Sequence, residues 1–147
     1  MPSFPQSAGL AFSDFKVGQT ATLEWQVDSR EIDTFAALSG DHNPLHVDAG
    51  FATTKGFKDR VAHGLLLASK LSAFAGMVLP GQNCLLLEFN LAWPNPVFAG
   101  DHIVIEGEIT ESSESIEVLK VSFRARKSEG AKQKTVGRGW FLCKVQS

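Results

Sequence analysis

The chain contains no tyrosine, which removes the phenol from its possible acids and bases, although eleven phenylalanines and three tryptophans supply aromatic bulk. Cysteine is scarce. Cys84 and Cys143 are too few for a disulfide framework and both fall in apolar, strand-like runs, so free thiols and a reducing, cytoplasmic-type compartment are expected. No excess of positive charge exists either. Fourteen Lys and Arg face sixteen Asp and Glu, a formal net charge of -2, which removes the overall basic field of a nucleic-acid binder. Nowhere do about 18 uncharged apolar residues follow one another, so no membrane span is expected. The opening residues, MPSFPQSAGLAFSDF, lack a basic n-region and a long apolar h-region and do not read as a signal peptide. There is no internal repeat and no low-complexity segment.

What remains is enough for one core. A length of 147 residues with 44% apolar content suits a single domain. Residues 1–15, with two prolines among small polar residues, read as a loosely ordered lead-in. Residues 20–27 are rich in strand formers. Asp28 and Glu31 then have the spacing of a capping box, and Ile32, Phe35 and Ala36 share one helical face. Gly40 supplies a stop, which predicts a helix over 29–39. Pro44 argues against a continuous helix through 41–48, so a polar loop is expected there. A brief helical turn fits residues 50–56, followed by a second connection over 57–61. Residues 63–79 are apolar on nearly every side apart from Ser69, Lys70 and Ser72, and predict a long buried helix ended by Pro80-Gly81. Four strands are expected near 84–93, 102–110, 115–127 and 133–146. With no α/β alternation after residue 80, the class is α+β: a mostly antiparallel sheet wrapped around one long buried helix.

The densest polar cluster is Ser39-Gly40-Asp41-His42-Asn43-Pro44-Leu45-His46-Val47-Asp48. An Asp and a His five residues apart on a proline-stiffened turn could contact one water, the His exchanging its proton and the carboxylate orienting it. A plain surface turn, with Asp41 capping a backbone N–H and His46 facing solvent, fits the composition as well. A metal site is the weaker functional reading. His42 and His46 are spaced i, i+4, but Pro44 stops a helix from aligning them, and neither HExxH nor a nearby cysteine is present.

Ala62-His63-Gly64 opens the apolar helix. A helix N-terminus presents free N–H groups, and glycine admits a ligand close to them, which suits an enolate or thioester oxygen. Taken alone, the same residues also read as packing. Charge is segregated further on. Residues 101–119 hold six acids and no base, whereas 120–147 hold eight bases against Glu129. Cross-strand pairing accounts for this pattern. Some of these bases, or Lys55, Lys58 and Arg60, could instead bind nucleotide phosphates.

The run Phe35-Ala36-Ala37-Leu38-Ser39-Gly40-Asp41-His42-Asn43-Pro44-Leu45-His46, with Ala52 six residues on, resembles the hydratase signature of the MaoC-like dehydratase family without a gap. Phe51-Ala52 through Phe57, Val61 to Leu66, and Asn95-Pro96-Val97-Phe98-Ala99-Gly100-Asp101 resemble the family at the expected spacing. The likeness is to its single-domain (R)-specific enoyl-CoA hydratases, and weakens before residue 15 and after about 112. It implies a hot dog fold, a homodimer joined where two sheet edges meet, and reversible hydration of a trans-2-enoyl-CoA to the (R)-3-hydroxyacyl-CoA. It implies Asp41 and His46 as the catalytic pair, the Gly64 amide at the thioester oxygen, and Asn43, His63 and Ser72 as auxiliary lining. It implies no metal and no cofactor. The substrate would be an acyl-CoA or acyl carrier protein thioester. The rival readings are a hot dog thioesterase and a non-catalytic acyl-CoA binding module.

Overall fold

The computed structural model describes residues 9–146. Five strands form, with buried and exposed side chains alternating most regularly in the third and fourth: β1 (Thr20–Gln26), β2 (Cys84–Ala92), β3 (His102–Ser113), β4 (Val118–Glu129) and β5 (Lys132–Val145). All pair antiparallel, in the order β1-β3-β4-β5-β2. Alternate residues of the central strands, Ile103, Ile105 and Ile109 on β3 and Leu119, Val121 and Phe123 on β4, are buried. Four helices fill the chain between β1 and β2: α1 (Ser29–Ser39), α2 (Pro44–Val47), α3 (Ala49–Thr54) and α4 (Gly64–Met77). Helix α4 carries the core, with Leu66, Leu67, Leu71, Phe74 and Ala75 buried in the same cluster as the inward side chains of the sheet. The sheet is bare where the helix presses on it. A Cβ on Gly107 would stand 2.6 Å from Phe74 Cζ, and one on Gly137 would stand 2.7 Å from Leu67 Cδ2. This is the α+β arrangement that the sequence predicts.

Three local expectations change. The lead-in is not loose throughout: residues 1–8 lie outside the described residues, but Phe12–Asp14 form a 3-10 turn and Phe15 is buried. Two aromatic rings draw this segment onto the core, because Phe12 packs against it as well. The expected loop at 41–48 contains α2, since Pro44 takes the first helical position, where its missing N–H costs nothing, and the Asn43 side chain caps Leu45. Strand β4 begins at Val118 rather than 115, because the hairpin turn runs through Glu117, whose φ is +52°. The segregated charges do pair across strands: Lys120 with Glu111 at 2.9 Å, Arg126 with Glu106 at 3.1 Å, and Lys134 with Glu129 at 3.0 Å.

A polar knot joins β1, α1 and α4. Glu31 accepts hydrogen bonds from Trp25 Nε1 at 2.8 Å and from the Asp28 N–H at 3.1 Å, and is ion-paired with Lys70. Burial alone would raise the Glu31 pKa, but hydrogen bonds from Lys70, Trp25 and Asp28 outweigh it and hold the carboxyl below its ordinary 4.5. Asp28, hydrogen-bonded by the Arg30 side chain and N–H, is lowered to about 2. A depressed carboxylate contributes stability above its unfolded pKa and loses it as pH falls through the folded one. The denaturant midpoint should therefore hold from neutral pH to about pH 5 and fall progressively towards about pH 2. Glu31→Gln should lower the midpoint at pH 7 and flatten the acid decline. An acid slope identical to the wild type would show that the knot is not responsible.

Candidate active site

Helix α1 begins at the capping box of Asp28 and Glu31 and ends at Gly40, which is left-handed with φ +77° and returns its N–H to Ala36 O at 2.9 Å. That stop turns the chain sharply into the polar cluster. The Ser39 hydroxyl accepts the Asp41 N–H at 3.1 Å, and Asp41 Oδ1 accepts the Asn43 N–H at 3.1 Å. Asp41 thus does cap a backbone donor with one oxygen, while Oδ2 remains directed at His46, 3.9 Å from Nε2.

His46 does not face solvent. Its side chain is 15% exposed, and Nδ1 lies 2.6 Å from the Val61 carbonyl. A carbonyl only accepts, so Nδ1 carries the proton and neutral His46 offers a lone pair at Nε2. Arg60 supports the turn, donating to Asp33 Oδ1 at 2.6 Å and to the His46 carbonyl at 3.3 Å.

The second half of the site arrives with α4. His63 is its N-cap but makes no side-chain cap, so Gly64 opens a helix whose N-terminus its own capping residue leaves open. His63 is 3% exposed. Its Nε2 donates to the Asp41 carbonyl at 2.9 Å, and its ring stacks on His46 with centroids 3.9 Å apart and planes at 26°. Phe35 packs on His63, 4.9 Å between centroids. A cavity of about 320 Å³ is lined by Phe35, Ser39, Asp41, His46, His63, Gly64, Leu65 and Trp93. Beside it a second, of about 290 Å³, runs past Gly64 and Trp93 between Phe57, Val61, Leu67 and Val97. Both are at the small end of the usual range for a ligand site.

Asp41, His46, His63 and Gly64 therefore meet in one cavity. Asn43 and Ser72 line neither cavity. Asn43 spends its side-chain oxygen on capping α2, and Ser72 is exposed further along α4. Arg60 is committed to Asp33, whereas Lys55 and Lys58 remain exposed over the rings of Phe51 and Phe98. Sequence reasoning missed Trp93. Its indole N–H donates to the Gly64 carbonyl at 2.9 Å, and the ring lies so close that a Cβ on Gly64 would be 3.0 Å from it. The Trp93-Pro94 step at the end of a strand is the signal that was available.

One atom each of Asp41, His46 and His63 lie within 4.8 Å of one another, a possible metal triad. The ring geometry opposes it. Imidazole lone pairs lie in the ring plane, and a metal must approach each nitrogen to about 2.0–2.1 Å. Two rings stacked face to face direct their lone pairs side by side. Convergence would require turning a ring and breaking its bond to Val61 or Asp41.

Comparison with known proteins agrees with this architecture. The family model described as "MaoC like domain" matches residues 14–131. The chain is 38% identical over 122 residues, 83% of its length and 91% of the relative's, to the (R)-specific enoyl-CoA hydratase of Aeromonas caviae. It is 36% identical over 107 residues, 73% of its length and 68% of the relative's, to 3-hydroxybutyryl-CoA dehydratase of Methylorubrum extorquens. Among solved structures, unliganded R-hydratase PhaJ1 from Pseudomonas aeruginosa superposes with a TM-score of 0.84 at 33% identity, covering 92% of this chain and 84% of that one. With the antiparallel sheet, the central helix and the matched segment, the chain belongs to the MaoC-like dehydratase family, with the hot dog fold of its hydratases.

Proposed function

We propose that the protein hydrates trans-2-enoyl thioesters to (R)-3-hydroxyacyl thioesters, reversibly, with Asp41 and His46 as the catalytic pair. One observation carries this reading: two lone-pair acceptors, Asp41 Oδ2 and His46 Nε2, are 3.9 Å apart beside the uncapped start of α4. A water about 2.8 Å from each donates one hydrogen to the carboxylate and one to the imidazole. Its remaining lone pairs then face the cavity.

The reaction balances within these groups. The water oxygen bonds to C3 while the C2–C3 π pair shifts towards the thioester, whose oxygen gains negative charge. The Gly64 N–H, at a helix N-terminus, is the donor suited to that oxygen. The pair accepts one proton from water and returns a proton to C2. Both additions come from the side on which the pair sits, which makes the addition syn. No metal or cofactor is needed for any step.

The thioester carrier is an acyl-CoA or an acyl carrier protein, which present the same pantetheine arm. We further propose a homodimer. The edge strand β2, unpaired on its outer side among the described residues, carries Leu85, Leu86 and Leu87, each more than 40% exposed, and such an edge invites pairing with a second copy. The test of function is turnover of trans-2-butenoyl-CoA, followed at once by loss of enoyl absorbance and by thiol release. Loss of absorbance without free CoA supports hydration. Free CoA with the enoyl group intact would make the protein a thioesterase.

A further inference from the structure

We propose that His63 is the positioning residue of the site, setting Asp41 and His46 against each other from one side chain. This rests on the reading that these two share a water. The N-cap of a helix favours Ser, Thr, Asp or Asn, whose oxygen closes the first free N–H groups. His63 occupies that position on α4 and makes no such bond. Its Nε2–H reaches instead to the Asp41 carbonyl, 22 residues earlier in the chain.

Because a carbonyl only accepts, that bond fixes the proton on Nε2 and leaves Nδ1 as a bare acceptor. Nδ1 is buried without a hydrogen-bond partner in the described structure. A buried acceptor left unpaired is destabilising, and a phenylalanine would fill the same space without it. Packing therefore does not account for an imidazole here. What the imidazole adds over a phenyl ring is the donor to Asp41.

The two contacts act on different partners. The hydrogen bond holds the backbone of the Asp41 turn, and the ring face holds the plane of His46 at 3.9 Å. Phe35 backs the ring at 4.9 Å. The next residue is Gly64, whose N–H opens α4. Carboxylate, imidazole and amide are thus all referenced to the dipeptide His63-Gly64. Since misplacement of reacting groups by about 1 Å can cost about 100-fold in rate, one residue that registers two of them has a large lever on kcat.

Three variants separate the contacts. His63→Phe keeps a flat ring and loses the donor, His63→Gln keeps a donor and loses the ring, and His63→Ala loses both. With trans-2-butenoyl-CoA as substrate, the Phe and Gln variants should each lose about 10-fold in kcat, and the Ala variant about 100-fold, with KM nearly unchanged. Melting curves confirm that each is folded. Wild-type kcat in both the Phe and Gln variants would overturn the proposal while leaving the Asp41–His46 reading intact. So would a rise in KM alone, which marks a substrate-lining residue. An arm independent of activity uses long-range ¹H–¹⁵N spectra of the imidazoles. The Val61 carbonyl keeps the His46 proton on Nδ1 in both proteins, but in His63→Ala, with the stacking ring gone, the His46 ring signals should broaden by exchange between ring orientations. His46 signals as sharp in that variant as in the wild type overturn the proposal even if butenoyl-CoA is not a substrate.

Discussion

Replacing His46 with Ala or Asp41 with Asn should each lower kcat for enoyl-CoA hydration by at least about 100-fold, within the range of a lost general acid–base group. The double variant should be little worse than the poorer single one. In the proposed mechanism both side chains accept from one water, bound between Nε2 and Oδ2, which lie 3.9 Å apart. Removing either leaves the other holding a water that can no longer exchange both protons, and groups acting as a unit are strongly non-additive. Asn is the informative substitution for Asp41, because its amide oxygen can still accept the Asn43 N–H that Oδ1 accepts at 3.1 Å. Steady-state kinetics of the four proteins decides the matter. Near-normal turnover in folded His46→Ala would remove the mechanism. Fully multiplicative losses would keep both residues and end the shared water.

The largest effect on stability is expected at Gly139. A Cβ there would stand 1.9 Å from the Asn90 carbonyl oxygen and 2.7 Å from its carbon. These are backbone atoms of β2, which pairs with β5 through Leu91 opposite Gly139. No side-chain rotation relieves the overlap, so the two strands must part. Among the described residues β2 is an edge strand with β5 as its one neighbour in the sheet. Gly139→Ala should cost more than about 3 kcal/mol, beyond ordinary overpacking. Gly76→Ala is the control. A Cβ there meets nothing within 4 Å, and in the last turn of α4 Ala is favoured over Gly by at most about 0.5–1 kcal/mol, the value for a helix interior. Chemical denaturation measures both. Equal stability of the two variants would show that β2 tolerates displacement.

The elements were legible where local chemistry dictates them. The Asp28–Glu31 capping box and Gly40 delimit α1, and the period-two runs give β3 and β4, because each signal lies within a few residues of its consequence. Pro44 misled, since proline both interrupts a helix and begins one, and only the Asn43 cap decides between these. Asp41, His46 and Gly64 could be named from spacing and resemblance, but what orients them could not. His46 is held by the backbone oxygen of Val61, an acceptor that any residue would carry. Arg60 reads as a free cation until the fold sets it against Asp33, 27 residues away. Trp93 reaches Gly64 across 29 residues, and no pattern in the sequence records that distance.

The central claim is that one pair, on one face, adds both parts of water. Hydration of trans-2-butenoyl-CoA in D₂O, with both new stereocentres of the product assigned by NMR and chiral analysis, tests it most directly. The account predicts (3R)-hydroxybutyryl-CoA with deuterium at C2 on the same face as the new hydroxyl. A 3S product, or deuterium on the opposite face, would contradict it.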